Sequence, residues 1–524
     1  MVTPLVSPIE SAARRVLAAA DACGNRLYGW RFNPLYQSGT IVVALYLLLL
    51  VTGLWLTLFY RVGAPWESVA RITQDAWIGN WVRGVHRCAS DLAVIATLVH
   101  AWRMFAEGRS WGARTLAWVS GAVLLLLLFV CGWTGYVMVW DTFGQQLARE
   151  GARMIDALPI LSEPTSRAFT GERPVPTAFF FVNLFAHIGV PLAMGLAFWL
   201  HIKRLARPAL LPSRPLLWTT TGALTAIAVA WPLAMAPKAD PFLLPAQVPA
   251  DVFFAFWMPA ARGLGAGTAL LLATATGIAL VSVPLFTRRR GAAAPPASTV
   301  DQDLCTGCTQ CAVDCPYGAI TMVGRDGPRS MLLASVDPSL CLSCGICAGS
   351  CAPMGVGPAG RTGRDQLAVA RAFLTSPPRR PGEVVVIGCE RAAGVRPAWS
   401  PHHAAAYPVS CAGNLHTSVI ERLLRGGCGG VLVLACPPRD CWNREGPAWL
   451  AERVYHGREA ELQPRVDRAR IRIEHASAGD RRRIGQVVAA FAAEISALES
   501  PHASDAAERE LECTPVPWKG RRQA

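Results

Sequence analysis

The sequence has few charged residues for its length, and acidic residues are the scarcer kind. Charged residues make up only 16% of the 524 residues, whereas hydrophobic residues make up 52%. Together with a positive mean hydropathy, this balance indicates a membrane protein with soluble parts. The net charge of +14 does not predict a nucleic-acid partner, because many arginines border apolar segments, where the positive-inside rule accounts for them.

Signatures of enzymes that act on soluble metabolites are also missing. Inspection finds no nicotinamide-binding loop, flavin motif or molybdenum signature. The glycine-rich run at 263–267 opens a predicted membrane span and follows no strand, so it does not predict a nucleotide site. No cleavable signal peptide is recognised, and at least ten of the 17 cysteines lie in closely spaced clusters. This pattern favours metal sites in a reducing compartment over disulfides.

Two apolar segments each carry a pair of histidines fourteen residues apart, His86 and His100 in one and His187 and His201 in the other. At about 100° per residue, fourteen steps return nearly to the same helix face and rise about 21 Å. Two parallel helices of this kind present two stacked pairs of facing imidazoles, as two b-type haems with two axial histidines each require. Buried structural histidines are the alternative, but each of the four would then need a partner in lipid.

The stretch from about residue 27 to residue 257 resembles the N-terminal half of cytochrome b from quinol:cytochrome c reductase complexes. Gly39 and Gly53 lie fourteen residues apart before the first histidine pair, and Gly121 and Gly135 repeat that spacing between the pairs. The resemblance implies that these glycines let porphyrin rings lie against the helix backbone. The physics agrees, because only a missing Cβ leaves that room.

Other residues extend this resemblance. Arg83 precedes His86 by three residues, and Arg103 follows His100 by three, at positions where the family places partners of the haem propionates. Trp118, the run Thr134-Gly135-Tyr136, and Pro191 also match. The family's arginine shortly before the third haem histidine is missing, so the resemblance leaves one propionate without its usual partner.

Six membrane spans are predicted from the apolar runs, at about 41–60, 85–105, 116–140, 178–202, 216–236 and 262–286. The loops that share a side with the N-terminus are richer in Lys and Arg, which predicts that both termini and the soluble domains are cytoplasmic in a bacterial inner membrane. His86 and His187 would then bind the outer haem, and His100 and His201 the cytoplasmic one. The segment 1–38 is either an interfacial helix or a disordered tail.

Two runs of cysteines follow the predicted linker, and the second repeats the spacing of the first. The first run contains Cys305, Cys308, Cys311 and Cys315, and the second contains Cys341, Cys344, Cys347 and Cys351. The pattern resembles a bacterial two-cluster ferredoxin, in which the last cysteine of each run binds the other cluster. The resemblance implies one [4Fe–4S] cluster on Cys305, Cys308, Cys311 and Cys351, and a second on Cys341, Cys344, Cys347 and Cys315. Structural zinc is the alternative.

The last part of the chain alternates predicted strands and helices, which indicates a small parallel α/β domain. The predicted strands are Val384–Ile387, Ala406–Val409, Val431–Leu434 and Ile471–Glu474, and the predicted helices are Leu415–Leu424, Ala448–Glu461 and Arg481–Leu498. Cys389, Cys411 and Cys436 each fall just past the carboxyl end of a strand, and Cys441 follows soon after. Cofactors of open parallel sheets bind at that edge.

Residues 383–498 resemble the delta subunit of methyl-viologen-reducing hydrogenase, mainly in the short runs around Cys389, Cys411, Cys436 and Cys441. The resemblance implies that these four cysteines hold a [2Fe–2S] cluster, which exchanges electrons with a flavoprotein of the heterodisulfide-reductase type. One further family cysteine, just after the first, is replaced here by the run 390–392. Buried structural thiols are the alternative. Cys428 lies before a strand and is interpreted as a bystander.

The predicted fold class is multidomain: an all-α membrane bundle like dihaem cytochrome b, an α+β two-cluster ferredoxin, and an α/β parallel-sheet iron–sulfur domain. The predicted boundaries are 1–38 for the N-terminal segment, 39–290 for the membrane domain, 291–300 for the linker, 301–360 for the ferredoxin, 361–382 for a connector, 383–500 for the last domain and 501–524 for a disordered tail.

These parts predict an electron-transfer subunit that links a cytoplasmic flavoprotein or dehydrogenase, of heterodisulfide-reductase or hydrogenase type, to the quinone pool. Its cofactors would be two b haems, two [4Fe–4S] clusters and one [2Fe–2S] cluster, with quinone as substrate and a homodimer as an open option. No catalytic residue is assigned. Two alternatives stay open: a relay to another membrane subunit without a quinone site, and a redox sensor.

The outer face of cytochrome b oxidises quinol with a Pro-Glu-Trp-Tyr motif, whose glutamate helps to remove a proton. The corresponding stretch here is Pro249-Ala250-Asp251-Val252, so the carboxylate lies one residue further on. One residue along a helix turns a side chain by about 100°, away from hydrogen-bond reach of the same substrate atom. The sequence therefore predicts no Rieske-dependent bifurcation at this face. The loop 141–177 is too long for a simple turn and is a candidate cover for a cofactor or quinone.

Overall fold

The computed structural model describes residues 8–158, 163–169, 175–203, 205–242, 251–287, 295–326, 331–375, 380, 382–392 and 404–498. The chain divides into two compact units. The first contains the described residues of Met1–Leu17 and Phe32–Ala294, and the second those of Ala18–Arg31 and Pro295–Ala524. Residues 249 and 250 and the predicted tail 501–524 lie outside the described residues.

Helices account for the regular structure of the N-terminal half. They are α1 (Pro8–Phe32), α2 (Ser38–Thr57), α3 (Pro65–Gln74), α4 (Gly79–Ala106), α5 (Thr115–Val139), α6 (Thr142–Asp156), α7 (Thr177–Ile202), α8 (Arg214–Ala230), α9 (Met258–Gly263) and α10 (Ala266–Thr287). Of the two alternatives for the N-terminal segment, the structure therefore has the helix, which is interrupted near its end by Gly29 at φ +69°. Its predicted interfacial position stays a prediction.

Long apolar helices identify the first unit as a membrane protein. Among the described residues, four helices are long and apolar enough to cross a membrane: Pro34–Thr57, Gly112–Val139, Thr177–Ile202 and Ala266–Thr287. Helices α4 and α8 occupy the second and fifth predicted spans. However, α4 carries several charged side chains, and α8 has only 17 residues and ends at Ala230, short of the predicted residue 236. The count of six spans therefore stays a prediction.

Two pairs of helices form the frame of this unit, because α2 packs along α4 and α5 packs along α7. Small residues such as Ala89 and Ala93 of α4 are fully buried, which allows close approach of the backbones. The predicted cover 141–177 contains α6, whose first turn is capped by Asp141 through its side chain and the N–H of Gly144 (2.9 Å). The apolar face of α6 packs on α5, with Leu147 completely buried.

The second unit begins with a small ferredoxin-like region. Its elements are β1 (Thr299–Val300), α11 (Gln310–Val313), β2 (Ile320–Gly324), β3 (Leu332–Val336), α12 (Ile346–Gly349) and β4 (Val356–Gly357), followed by α13 (Gly363–Thr375). Strand β1 pairs with β4 and β2 pairs with β3, both antiparallel. The short helices α11 and α12 follow the turns of the two cysteine runs.

A parallel sheet completes the second unit, as the sequence predicts. Its strands are β5 (Val384–Cys389), β6 (Ala404–Val409), β7 (Gly430–Ala435) and β8 (Ile471–His475), in the order β6-β5-β7-β8. The accompanying helices are α14 (Thr417–Arg425), α15 (Gly446–Tyr455) and α16 (Arg481–Leu498). Strands β5 and β7 are buried on both faces, which is why they read as continuous apolar runs rather than alternating ones.

Candidate haem and iron–sulfur sites

The four histidines form two facing pairs, each with one member on α4 and one on α7. The ring centroids of His86 and His187 are 6.4 Å apart, and those of His100 and His201 are also 6.4 Å apart. Two imidazoles bound axially to one metal ion, with metal–nitrogen bonds of about 2 Å each, have centroids roughly 6 Å apart. The pairs predicted from the fourteen-residue spacing thus have the separation that a haem iron needs.

Each predicted glycine lies against one of these imidazoles. A Cβ added at any of the four positions would come within 2.8–3.2 Å of the Cε1 atom of that ring. The contacts are Gly39 with His100, Gly53 with His86, Gly121 with His201 and Gly135 with His187. The imidazole ring therefore lies in the space that each missing Cβ leaves. The predicted contact of these glycines with porphyrin stays a prediction.

A hydroxyl residue precedes every one of these glycines, and its oxygen lies near the Nδ1 atom of the same imidazole. The distances are 3.4 Å for Ser38 and His100, 2.9 Å for Thr52 and His86, 3.2 Å for Ser120 and His201, and 3.0 Å for Thr134 and His187. A partner on Nδ1 fixes the ring orientation and leaves Nε2 for the metal. Of these four residues the sequence analysis named only Thr134, as part of the run 134–136, and it assigned no role to its hydroxyl. The Ser/Thr-Gly dipeptide recurs at the same spacing as the glycines.

The two arginines expected at the propionates have protein partners in this structure. The guanidinium of Arg83 donates to the hydroxyl of Thr73 (3.0 Å) and to the carbonyl of Leu233 (3.1 Å). Arg103 is buried and lies 4.8 Å from the ring centroid of Tyr36. Both side chains lie on α4 near a histidine, and their role toward propionates stays a prediction.

A polar cluster lies one residue beyond His86 and includes the displaced carboxylate of the outer-face stretch. Arg87 binds Asp91 and the hydroxyl of Tyr136, and it contacts Asp251 at 2.8 Å. Tyr136 donates a hydrogen bond to the same carboxylate. The other oxygen of Asp251 accepts the backbone N–H groups of Phe253 (2.9 Å) and Phe254 (2.6 Å). The carboxylate therefore caps its own turn and pairs with Arg87. Sequence reasoning missed Arg87 and Asp91.

The cysteines of the ferredoxin region come together across the two runs. One cavity is lined by Ser298, Cys315, Tyr317, Ala319, Ile320, Cys341, Leu342, Cys344, Ile346 and Cys347. Its four cysteines are those that the resemblance assigns to one cluster. Backbone N–H groups point at their sulfurs, from Ala319 to Cys315 (3.4 Å) and from Ser343 to Cys341 (3.4 Å). Such N–H···S bonds suit thiolates that bind an iron–sulfur cluster.

The other set of four cysteines is centred on Cys311. Burial, together with the neighbouring thiols of Cys347, Cys351, Cys308 and Cys305, raises the pKa of Cys311 to about 12. Cys351, from the second run, accepts the N–H of Gly355 at 3.3 Å. A thiol with so high a pKa is protonated at neutral pH, so binding as a thiolate requires the positive charge of a metal centre.

The four cysteines of the last domain meet at the carboxyl edge of the parallel sheet. The sulfurs of Cys389 and Cys436 are 3.9 Å apart, and Cys411 and Cys441 are buried beside them. A hydrogen bond with Cys411 lowers the pKa of Cys441 well below its ordinary value. Gly446 is required here because a Cβ would lie 3.0 Å from the sulfur of Cys411. These features fit a compact cluster with thiolate ligands.

Two further residues of this edge were not singled out from the sequence. His475 ends β8, and its Nδ1 lies 2.9 Å from the carbonyl oxygen of Cys436. The ring of Trp30, which belongs to the same unit, is 4.5 Å from the ring of His475. The only available signal was that β8 ends beside β7. Cys428 lies before β7, at the opposite end of the strand from Cys436.

Comparisons with known proteins match three separate parts of the chain. Residues 27–207 match the family Cytochrome b/b6/petB, residues 304–355 match the 4Fe-4S dicluster domain, and residues 386–499 match the delta subunit of methyl-viologen-reducing hydrogenase. Among solved structures, a chain titled "Hyperthermophilic respiratory Complex III" aligns with 49% of this chain and 78% of its own length, at 16% identity and a TM-score of 0.37. The family matches support a membrane electron-transfer subunit, with regions similar to cytochrome b, to the 4Fe-4S dicluster domain and to the hydrogenase delta subunit.

Proposed function

We propose that this subunit passes electrons between a cytoplasmic flavoprotein or dehydrogenase and the membrane quinone pool. Two b haems, two [4Fe–4S] clusters and one [2Fe–2S] cluster would supply the one-electron steps. The observation that carries the proposal is the repeated unit of glycine, hydroxyl and imidazole on paired helices, with both imidazole pairs 6.4 Å apart. This unit occurs twice, fourteen residues apart along each helix, which supports two haem sites stacked across a membrane.

The protein side chains in this proposal bind and orient cofactors and do not act as nucleophiles. His86 and His187 hold one haem and His100 and His201 the other, while the hydroxyls on their Nδ1 atoms keep the rings in position.

The cysteines divide into three sets of four in this proposal. The sets are Cys305, Cys308, Cys311 and Cys351; Cys315, Cys341, Cys344 and Cys347; and Cys389, Cys411, Cys436 and Cys441. The common cavity and the N–H groups aimed at sulfur support a cluster over structural zinc. The close packing of four buried thiols at one sheet edge supports a third cluster over unrelated core cysteines.

The experiment that tests the haem assignment is a pair of substitutions in the full-length protein. Purified wild type is expected to contain two low-spin b haems per chain. His100→Leu should remove one of them and leave the other spectrally intact, and His86→Leu should remove the opposite one. Loss of neither haem, or of both together in each variant, would contradict the pairing.

The family matches support a partner and a membrane substrate for this proposed pathway. The delta-subunit domain supports a partner of heterodisulfide-reductase or hydrogenase type, and the cytochrome b domain supports quinone as the membrane substrate. Six spans with both termini cytoplasmic would put the clusters on the side of that partner. Co-purification from native membranes, followed by identification of the bound protein, tests the partner. A homodimer would appear in the same preparation as two copies per particle.

A relay without its own quinone site is the second candidate, and it is favoured by one observation. The outer-face carboxylate Asp251 is already held by Arg87, Tyr136 and backbone N–H groups. Oxidation of dithionite-reduced protein by a quinone analogue separates the two candidates. A relay without a quinone site would stay reduced after the analogue is added. A redox sensor would instead leave the quinone analogue unreduced, and its affinity for a partner protein would depend on the oxidation state of its clusters.

A further inference from the structure

Arg361 links a cysteine loop of the dicluster domain to a cysteine loop of the delta-subunit domain. This half-buried residue lies between β4 and α13, within the second unit. One end of its guanidinium donates to the carbonyl (2.7 Å) and the hydroxyl (2.9 Å) of Ser343. The other nitrogen donates to the hydroxyl of Ser410 at 3.1 Å. A planar guanidinium is suited to such a bridge, because its N–H groups point in fixed and different directions.

Both serines are adjacent to predicted cluster ligands. Ser343 lies between Cys341 and Cys344, and its own N–H donates to the sulfur of Cys341 at 3.4 Å. Ser410 directly precedes Cys411, and its carbonyl oxygen lies 3.9 Å from the sulfur of Cys389. The side chain of Arg361 therefore bonds two serines at once. Ser343 donates to a sulfur of the first site, and Ser410 is joined by a peptide bond to Cys411, a predicted ligand of the second site.

The backbones of these two loops also pack directly against each other. The side chain of Asn414 donates to the carbonyl of Gly345 at 2.9 Å and to the carbonyl of Arg361 at 3.1 Å. Gly345 has φ +79°, and a Cβ there would lie 2.5 Å from the amide nitrogen of Asn414. A side chain at position 345 would collide with Asn414, so the glycine allows this contact between the two loops.

The second contact between the domains involves the other [4Fe–4S] set and is made differently. His416 places Nε2 at 3.2 Å from the carbonyl of Cys351. Arg453 is completely buried and donates to the hydroxyl of Ser350 (2.8 Å) and the carbonyl of Gly413 (2.9 Å). These hydrogen bonds end on backbone carbonyls and on one serine hydroxyl. The charge of Arg453 also acts on the thiol of Cys411.

We infer that electrons cross between the two domains at Arg361, between the site of Cys315, Cys341, Cys344 and Cys347 and the site of Cys389, Cys411, Cys436 and Cys441. Arg361 is a positioning residue: it holds the two loops in register, and its positive charge lies within hydrogen-bond distance of a serine next to a ligand of each site. One electron leaves the reduced site and one arrives at the oxidised site, with no proton or bond change. The inference rests on the proposed function, and it adds the order of the sites along the pathway.

The charge of Arg361 predicts a measurable effect on both sites. Each iron–sulfur site becomes more negative by one charge on reduction, and a nearby cation stabilises that state. Removal of the cation should therefore lower both reduction potentials. The [4Fe–4S] site with Cys305, Cys308, Cys311 and Cys351 has no described contact with Arg361, and its potential should change least.

The test uses the purified full-length protein with Arg361→Gln, Arg361→Lys and the matched control Arg364→Gln, an exposed arginine three residues further on. Measurements are iron content, redox titration followed by electron paramagnetic resonance, and the rate at which the [2Fe–2S] signal appears after rapid reduction of the dicluster sites. Arg361→Gln should lower two of the three potentials and slow transfer roughly tenfold or more, as changes in outer-shell partners do. Arg361→Lys should restore the two reduction potentials more than the electron-transfer rate. Lysine restores the positive charge, but it lacks the planar guanidinium that bonds both serines at once.

Ser410→Ala provides a second test in case Arg361→Gln loses its iron. This variant removes the Ser410 acceptor, while Arg361 keeps its hydrogen bonds to Ser343. Electron transfer should therefore slow while the [4Fe–4S] potentials stay unchanged. Unchanged rates in Ser410→Ala, an equal effect of Arg364→Gln, or a larger effect of His416→Gln would overturn the inference. If the iron content of wild type shows no clusters in these domains, the proposed function fails instead, so the two failures are distinguishable.

Discussion

At the scale of single residues, the hydroxyls beside the imidazoles are the features that decide how the histidines are held. Each hydroxyl comes from the residue before a glycine, so the backbone turn that opens space for the ring also supplies its hydrogen-bond partner. Partners of this kind set ring orientation and the basicity of the ligand nitrogen.

Thr52→Val should therefore alter only the haem of His86 and His187. The valine is close to threonine in shape but leaves Nδ1 of His86 without the hydroxyl at 2.9 Å. We expect haem to be retained with weakened binding, by about tenfold or more, and a shifted potential for that haem alone. Thr57→Val is the matched control, because its hydroxyl bonds the carbonyl of Gly53 rather than a ring. Spectroscopic redox titration measures both. Equal shifts in the two variants would contradict the assignment.

A second prediction at this scale separates cluster ligands from ordinary buried thiols. Cys411→Ala should remove two irons per chain, because a [2Fe–2S] cluster needs all four thiolates. Cys428→Ala is the control: Cys428 is equally buried but lies at the other end of β7. Iron and acid-labile sulfide assays give the result. Unchanged iron in Cys411→Ala would mean that Cys389, Cys411, Cys436 and Cys441 are structural thiols.

At the scale of elements, the pairing of α2 with α4 and of α5 with α7 positions the four histidines. In each pair one helix contributes histidines and the other contributes glycines. A candidate haem site needs both pairs, because its two imidazoles come from α4 and α7. The imidazoles lie in the helix–helix contact, where any added atom must displace a ring.

Gly39→Ala tests this arrangement directly. The new Cβ would lie 2.8 Å from the ring of His100, closer than real Cβ contacts, so the imidazole must move. We expect loss or strong perturbation of the haem of His100 and His201, with the other haem unchanged. Gly222→Ala in α8 is the control, since no atom lies within 4 Å of its Cβ position and alanine favours a helix. Absorption and haem content distinguish the two, and a normal Gly39→Ala spectrum would contradict this packing.

At the scale of the whole molecule, the Asp251 carboxylate connects three parts of the first unit. Asp251 ties its loop to α4 and α5 through Arg87 and Tyr136. A carboxylate with two side-chain partners and capped backbone groups is a structural anchor, whereas general-base catalysis needs it within reach of substrate.

Full-length protein mixed with quinol, cytochrome c and a Rieske partner should therefore show no oxidant-induced reduction of the outer haem. Asp251→Ala should instead destabilise the membrane unit by about 1–3 kcal/mol, because Arg87 and Tyr136 lose a buried acceptor. Asp240→Ala is the control, since that carboxylate accepts a local N–H, from Phe242 at 2.9 Å. Induced haem reduction that Asp251→Ala abolishes would show that a bifurcating site survives in altered form.

The sequence alone determined those features that depend on spacing within one element. Fourteen residues between histidines or glycines correspond to one helix face, and cysteines just after apolar strands must meet at one sheet edge. The helices bearing these residues and the parallel sheet could thus be predicted, and the chain composition already indicated a membrane protein. The apolar pattern did not predict where α8 ends: the pattern continues through residues 231–236, but the helix stops at Ala230, two residues before Pro232, which has no N–H to continue it.

Tertiary structure alone decided which distant residues meet. Ser343 and Ser410 are ordinary polar residues in the sequence, and only the packing of two domains brings both to Arg361. Arg87 and Asp251 are separated by 164 positions, so no local pattern could pair them. The hydroxyls at Nδ1 belong to one helix and the imidazoles to another. Spacing reports the geometry within an element, whereas these contacts depend on how elements pack, which local sequence does not encode.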